Sequence, residues 1–74
     1  MREYTVIYQR GGPGEENWGA YVPDLPGCTS TGDALEEIER NILEAIGGHI
    51  AALRDTGQPI PEPATHAGRI AVAA

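Results

Sequence analysis

Hydrophobic and polar residues alternate along two stretches in the first third of the chain. Apolar side chains recur at every second position from Tyr4 to Tyr8, and the same alternation returns from Trp18 to Val22. A period of two is that of a β-strand, and the turn-forming residues 11–16 between the stretches predict an antiparallel hairpin. Two prolines and a glycine then interrupt the pattern, and Cys28–Thr31 is a candidate for a short third strand.

The period changes to 3.6 after Asp33, which predicts one amphipathic helix over residues 34–56. Asp33 followed by Glu36 fits a capping box, and Gly57 fits a C-terminal stop. Gly47–Gly48 lies in the middle of this predicted helix. Two glycines there are compatible with a locally weakened helix, a close packing contact or a kink. The apolar stripe consists of Leu35, Ile38, Ile42, Ile46, Ile50 and Leu53.

The segment after the helix is predicted to return the chain to the sheet. Gln58–Pro63 carries three prolines at alternate positions, which favours an extended connector. Arg69–Ala73 alternates again and is predicted to form a last strand, with Ile70 and Val72 covering the helix. The expected fold is an α+β domain: a small antiparallel sheet in the order β-β-(β)-α-β with one helix on one face. The other face of the sheet is left without a covering layer.

Size and charge bound the functions that this chain can have. With 74 residues it is a single domain, and so small a core makes a lone monomer marginally stable, so we expect a homodimer or a larger homo-oligomer. Five basic residues stand against 11 acidic ones, giving a net charge of -6 with no lysine, and the arginines are scattered. Direct nucleic-acid binding needs a basic surface, so a basic protein partner is the better match.

The residues that could carry chemistry form no recognisable catalytic or metal-binding motif. Cys28 is the only cysteine, and no secretory segment opens the chain, so we expect a cytoplasmic protein. No apolar run approaches the roughly 20 residues of a membrane span. Cys28 with His49 could form a nucleophilic dyad, and a small hydrolase using Asp24, Cys28 and His49 remains an open alternative, although a partly buried histidine is the simpler interpretation of His49. We expect no metal and no cofactor.

The aromatic residues all lie on the predicted hairpin. Strand parity places Tyr4, Tyr8 and Trp18 on the face that meets the helix, where they would pack in the core. Tyr21 points the other way, so Tyr21 together with Leu25 is a candidate for a partner contact.

One run of residues carries a family resemblance. The sequence W-G-A-Y-V-P-D-L-P-G-C at Trp18–Cys28, followed by Ser30, Gly32 and the helix with Asn41–Ile46, resembles the HicB-like antitoxin family. The resemblance extends from about Tyr4 to Pro63. It implies a truncated RNase H-like fold, β-β-β-α-β.

The resemblance also implies a function, which is to bind and mask HicA, a small basic mRNA-cleaving toxin, without any catalysis by this chain. An orphan oligomeric scaffold domain of the same fold, with no toxin partner, is the alternative. Family members commonly continue into a DNA-binding module, whereas this chain stops at Ala74, so we expect one domain over residues 1–74 without its own operator binding. Ala34 stands where the family usually has a capping threonine. The residues expected to bind the partner are Trp18, Tyr21, Asp24, Leu25, Pro26 and Cys28.

Overall fold

The computed structural model describes residues 2–74, so Met1, where the predicted domain begins, lies outside the described residues. It contains three strands and one helix, in the order β1 (Ile7–Arg10), β2 (Trp18–Tyr21), β3 (Thr29–Gly32) and α1 (Leu35–Asp55). The strands form one antiparallel sheet in the order β1-β2-β3. The α+β class and the short third strand are therefore confirmed, with β1 beginning three residues later than the alternation predicted.

The predicted last strand is wrong. Within the described residues no helix or strand follows Gly57, and Arg69–Ala73 is exposed throughout. The alternating pattern there satisfies the local requirement for a strand, but a strand also needs a neighbour to accept its backbone hydrogen bonds. The segment finds no such neighbour within its own chain.

Strand register separates the two faces of the sheet. Tyr8 pairs with Ala20, which pairs with Ser30, and Ala20 is buried against the helix. Residues that pair directly across an antiparallel sheet lie on the same face, so Tyr8 and Ser30 face α1 together with Ala20. The neighbouring set of paired residues, which contains Tyr21, faces the other way. The predicted parity of Tyr8 and Tyr21 is confirmed.

The core lies between α1 and the second and third strands. Its buried residues come from β2, from the β2–β3 connection and from the first half of the helix: Ala20, Val22, Leu25, Cys28, Ile38 and Ile42. The helix of 21 residues is about 31 Å long, whereas four-residue strands span about 13 Å. Ile46, Ile50 and Leu53 of the predicted stripe therefore extend past the sheet and are only half-buried.

The C-terminal end of α1 lies where the sequence predicted it. At the C-terminus Gly57 has φ +70°, its N–H donates to the Arg54 carbonyl at 3.1 Å, and the Gln58 N–H donates to the Leu53 carbonyl at 2.9 Å. This is a Schellman motif, and it confirms the predicted stop.

At the N-terminus the predicted capping box of Asp33 and Glu36 is wrong. Ala34 occupies the N-cap without a side-chain hydrogen bond, and Glu37 accepts from the Asp33 N–H at 3.3 Å. The helix begins one residue later than that capping box requires, so Glu37 rather than Glu36 lies at the third helical position.

Gly47 and Gly48 lie in an uninterrupted stretch of α1. A Cβ built at either position meets nothing within 4 Å, which rules out the close packing contact among the three interpretations. Both glycines are exposed, so they cost helix propensity without a compensating contact in the monomer.

Candidate functional site

The connection between β2 and β3 consists of two successive β-turns that share one residue. The Leu25 N–H donates to the Val22 carbonyl at 3.1 Å, and the Cys28 N–H donates to the Leu25 carbonyl at 3.0 Å. Pro26 and Gly27, the latter at φ +85°, take the second and third positions of the second turn, as a type II turn requires. The shared Leu25 is turned into the core and is 0% exposed.

Asp24 in the first of these turns holds the segment that follows the helix. Its Oδ2 accepts hydrogen bonds from the Ala64 and Thr65 N–H groups, each at 3.0 Å, and its Oδ1 accepts from the Thr65 hydroxyl at 2.8 Å. The backbone hydrogen bonds from Ala64 and Thr65, followed by the Thr65 hydroxyl, lower the pKa of Asp24. The carboxylate therefore remains ionised at neutral pH and ties the connector to the sheet.

The segment before β1 holds the same connector from the other side. The Thr5 hydroxyl donates to the Thr65 carbonyl at 2.7 Å, and the Tyr4 hydroxyl donates to the Pro61 carbonyl. The connector is thus fixed at the end of the sheet where β1 begins, and it leaves the outer face of the strands uncovered.

The outer face of the sheet presents an uncharged surface. Ile7 pairs with Tyr21, and Tyr21 pairs with Thr29, so the three side chains form a row across all three strands. Tyr21, the largest of them, is 40% exposed. The adjacent row contains Gln9, Gly19 and Thr31, so it is shallow and also carries no charge. We refer to these six residues as the open face.

Acidic groups lie beside the sheet rather than on the open face. A surface cleft of about 560 Å³ between the β1–β2 hairpin and the start of the helix is lined by Glu15, Glu16, Asn17 and Asp33. Its three carboxylates, together with the glutamates of α1, give this end of the molecule a negative field.

The structure separates the six predicted contact residues into three groups. Leu25 and Cys28 are core residues, at 0% and 3% exposure, so they shape the turn and do not themselves form a contact surface. Asp24 is engaged by the connector, as described above. Trp18, half-buried with the Arg10 guanidinium 5.1 Å from its ring centroid, and the exposed Tyr21 and Pro26 are accessible, and their role in binding stays a prediction.

Two features of this surface were not predicted from the sequence. The tether between Asp24 and Thr65 joins residues 41 positions apart. The neighbours of Tyr21, which are Ile7 and Thr29, depend on the strand register. Turn length and hairpin pairing could have suggested the second feature, whereas nothing local encodes the first.

The open hydrolase alternative finds little support in the geometry. Burial raises the pKa of the Cys28 thiol, which keeps it protonated and weakly nucleophilic. Asp24 is already occupied by three hydrogen bonds to the connector. Over residues 2–74 no group of three or more histidine, cysteine or acidic side chains is arranged to hold a metal ion.

Within the described part of the chain, no helix has both the length and the apolar character that crossing a bilayer demands.

One family model and several known proteins are similar to this chain. Residues 4–72 match the family model described as the HicB-like antitoxin of bacterial toxin-antitoxin systems. A UPF0150 protein of Synechocystis sp. is 41% identical over 59 residues, covering 80% of this chain and 72% of that protein. A UPF0150 protein of Thermoplasma acidophilum is 37% identical, covering 80% of this chain and 83% of the relative.

A phage protein and a solved structure are also similar to this chain. An uncharacterised 14.9 kDa protein of Haemophilus phage HP1 is 44% identical over 41 residues, which is 55% of this chain and only 31% of the phage protein. A chain in a solved HicA3 and HicB3 toxin-antitoxin complex superimposes with a TM-score of 0.68 at 33% identity, covering 85% of this chain and 70% of that one.

Proposed function

Because the chain belongs to the family of HicB-like antitoxins of bacterial toxin-antitoxin systems, we propose that it neutralises a small basic ribonuclease toxin of the HicA type by covering the toxin's active site. On this proposal the chain contributes binding and no catalysis. It acts in the cytoplasm, where its toxin would act.

The single observation that carries this proposal is the open face beside an acidic flank. Tyr21 lies at the centre of the open face, uncharged and exposed, with Ile7 and Thr29 on either side. Exposed aromatic residues at the centre of a flat patch are the usual anchors of protein interfaces. A sheet face that no layer of its own chain covers is a surface available for this purpose.

Charge supports a basic partner. The net charge of -6 and the carboxylates of Glu15, Glu16 and Asp33 would attract a cationic toxin and speed the encounter. Affinity would come from the desolvated apolar contacts of the open face, because rim charges change association rates more than they change affinity.

The experiment that tests the proposal is co-expression of this chain with a basic reading frame adjacent to its gene. We expect growth arrest by the neighbour alone, rescue by the chain, and co-purification of the two proteins. A neighbour that is harmless, or that stays toxic and unbound, would favour the orphan scaffold instead.

Two matched substitutions locate the contact. Tyr21→Ala removes the anchor of the open face, while Leu35→Ala shortens a comparably exposed side chain on the helix, 42% against 40%. We expect Tyr21→Ala to weaken toxin binding by about thirtyfold, as for a residue worth about 2 kcal/mol, and Leu35→Ala to leave it within about twofold. Equal effects of the two substitutions would place the contact elsewhere.

A further inference from the structure

The helix leaves a gap beneath the first strand. It packs across β2 and β3, while no Cα atom of α1 lies within 8 Å of a Cα atom of β1. The space between them is a groove of about 500 Å³, and Leu43 on its wall is 70% exposed. The apolar residues lining this groove are Tyr4, Val6, Tyr8, Ile42, Leu43 and Ile46.

The backbone edge next to this groove is open. Strand β1 is at the end of the sheet and pairs on one side only, with β2. An edge strand of this kind offers a row of free N–H and C=O groups to any extended segment that lies alongside it.

The same chain carries a segment suited to that edge. Residues 66–74, which we call the tail, are exposed along their whole length and take part in none of the hydrogen bonds that the structure shows between residues 2 and 74. Ile70 is 89% exposed and Val72 is 77% exposed, on the same side of an extended chain. The radius of gyration is 14.2 Å, whereas a compact chain of this length has about 11 Å.

The distribution of charge allows the tail to pack against the groove of a second copy. All 11 acidic residues lie in residues 2–65, while the tail contains no acidic residue and one arginine, Arg69. The charged residues on the walls of the groove are Arg2, Glu3 and Glu39. Two acidic bodies repel each other, whereas a tail without acidic side chains can approach this groove without that repulsion.

We infer that two copies of the chain exchange tails, so that the tail of each adds a fourth strand to the β1 edge of the other and inserts Ile70 and Val72 into the groove between β1 and α1. Alternate residues of an added strand face the helix, which is the spacing of these two side chains. Asp24 and Thr5 hold Thr65 near the start of β1, and the tail that follows makes no strand pairing with its own β1.

The exchange is self-complementary. Each copy provides one tail and one groove, so a two-fold axis uses both and the assembly closes at two chains. It also gives the strand-like pattern at Arg69–Ala73 a neighbour that its own chain does not supply. The inference concerns self-association alone and stands whether or not the chain binds a toxin.

Sedimentation of the chain without any toxin tests this. We expect a mass twice 7.8 kDa for the wild type. Ile70→Asp with Val72→Asp places two charges in the groove and should weaken self-association by about 100-fold or more. Ala71→Asp with Ala73→Asp adds the same charge on the other side of the tail, and should weaken it by much less. A monomeric wild type, or equal effects of the two pairs, would overturn the inference.

Disulfide trapping distinguishes exchange from a tail that folds back. Mixing a Val72→Cys chain with a Leu43→Cys chain should give a cross-linked pair, and Ala71→Cys in place of Val72→Cys should cross-link far less. Cys28 does not compete because it is 3% exposed. If a chain carrying both Leu43→Cys and Val72→Cys closes on itself at high dilution while the mixture stays uncoupled, the tail occupies its own groove and the exchange is refuted.

Discussion

Adding one methyl group at Gly32 should destabilise the domain, and adding the same group in the middle of the helix should stabilise it. Gly32 ends β3 where the strand passes under the first turns of α1. A Cβ built there would lie 3.0 Å from the Ile38 nitrogen and 3.2 Å from its Cα and Cβ atoms. Ile38 is 0% exposed, so its backbone cannot retreat without disturbing the core.

The change in the free energy of unfolding depends on whether the added methyl group meets packed atoms or open space. Overpacking a well-filled core costs about 1–3 kcal/mol, so Gly32→Ala should lower the free energy of unfolding by that amount. At Gly48 nothing lies within 4 Å of the new Cβ, and the gain in helix propensity is about 1 kcal/mol. For a domain of this size each kcal/mol shifts the Tm by about 4–8 °C.

Thermal unfolding followed by circular dichroism measures both variants at the same protein concentration. The expected result is a lower Tm for Gly32→Ala and a higher Tm for Gly48→Ala than for the wild type. A Gly32→Ala chain as stable as the wild type would refute the close approach of β3 and α1. A destabilised Gly48→Ala chain would show that the middle of the helix is in contact with something absent from the single chain.

Three further predictions follow from the β2–β3 connection. The pKa of Asp24 is lowered in the folded chain, so its stabilising contribution is present above the ordinary carboxyl pKa of about 4 and is lost as the pH falls through the lower folded value. Asp24→Asn should therefore lower the Tm at pH 7, and the difference from the wild type should shrink as the pH falls toward 2; a difference that stays constant over this range would contradict the tether. Cys28 should react with a thiol reagent slowly in buffer and rapidly in urea, because burial raises the pKa of its thiol; fast labelling of the native chain would contradict its placement. Leu25→Ala should lower the free energy of unfolding by about 2–5 kcal/mol in urea titration, and a loss below about 1 kcal/mol would mean that Leu25 is not the core residue described.

The sequence predicted the elements better than it predicted the role of the connection between β2 and β3. The periodicity identified the hairpin and the helix, because side chains of one face repeat along each element. From the sequence, a single helix layer leaves the loop from Asp24 to Cys28 uncovered, so Leu25 is predicted to lie on a contact surface. The two successive turns that share Leu25 direct it inward, so a substitution such as Leu25→Asp would disrupt the core rather than a binding surface.

Contacts between distant parts of the chain could not be predicted from local sequence patterns. The tether of Asp24 to Thr65 and the position of the tail depend on where distant parts of the chain meet. Arg69–Ala73 is the clearest example. Its alternation predicts a strand, but the local pattern does not show which strand it would pair with. The one-residue error at the helix N-terminus is of the usual size for boundaries.

The most direct test of the central claim, that the chain masks a ribonuclease toxin through its open face, is RNA cleavage by the purified adjacent toxin titrated with this chain. The account predicts that cleavage stops when the chain and the toxin reach stoichiometric amounts, and that Tyr21→Ala shifts this endpoint to a large excess while Leu35→Ala does not. Cleavage that continues undiminished in excess wild-type chain would contradict it.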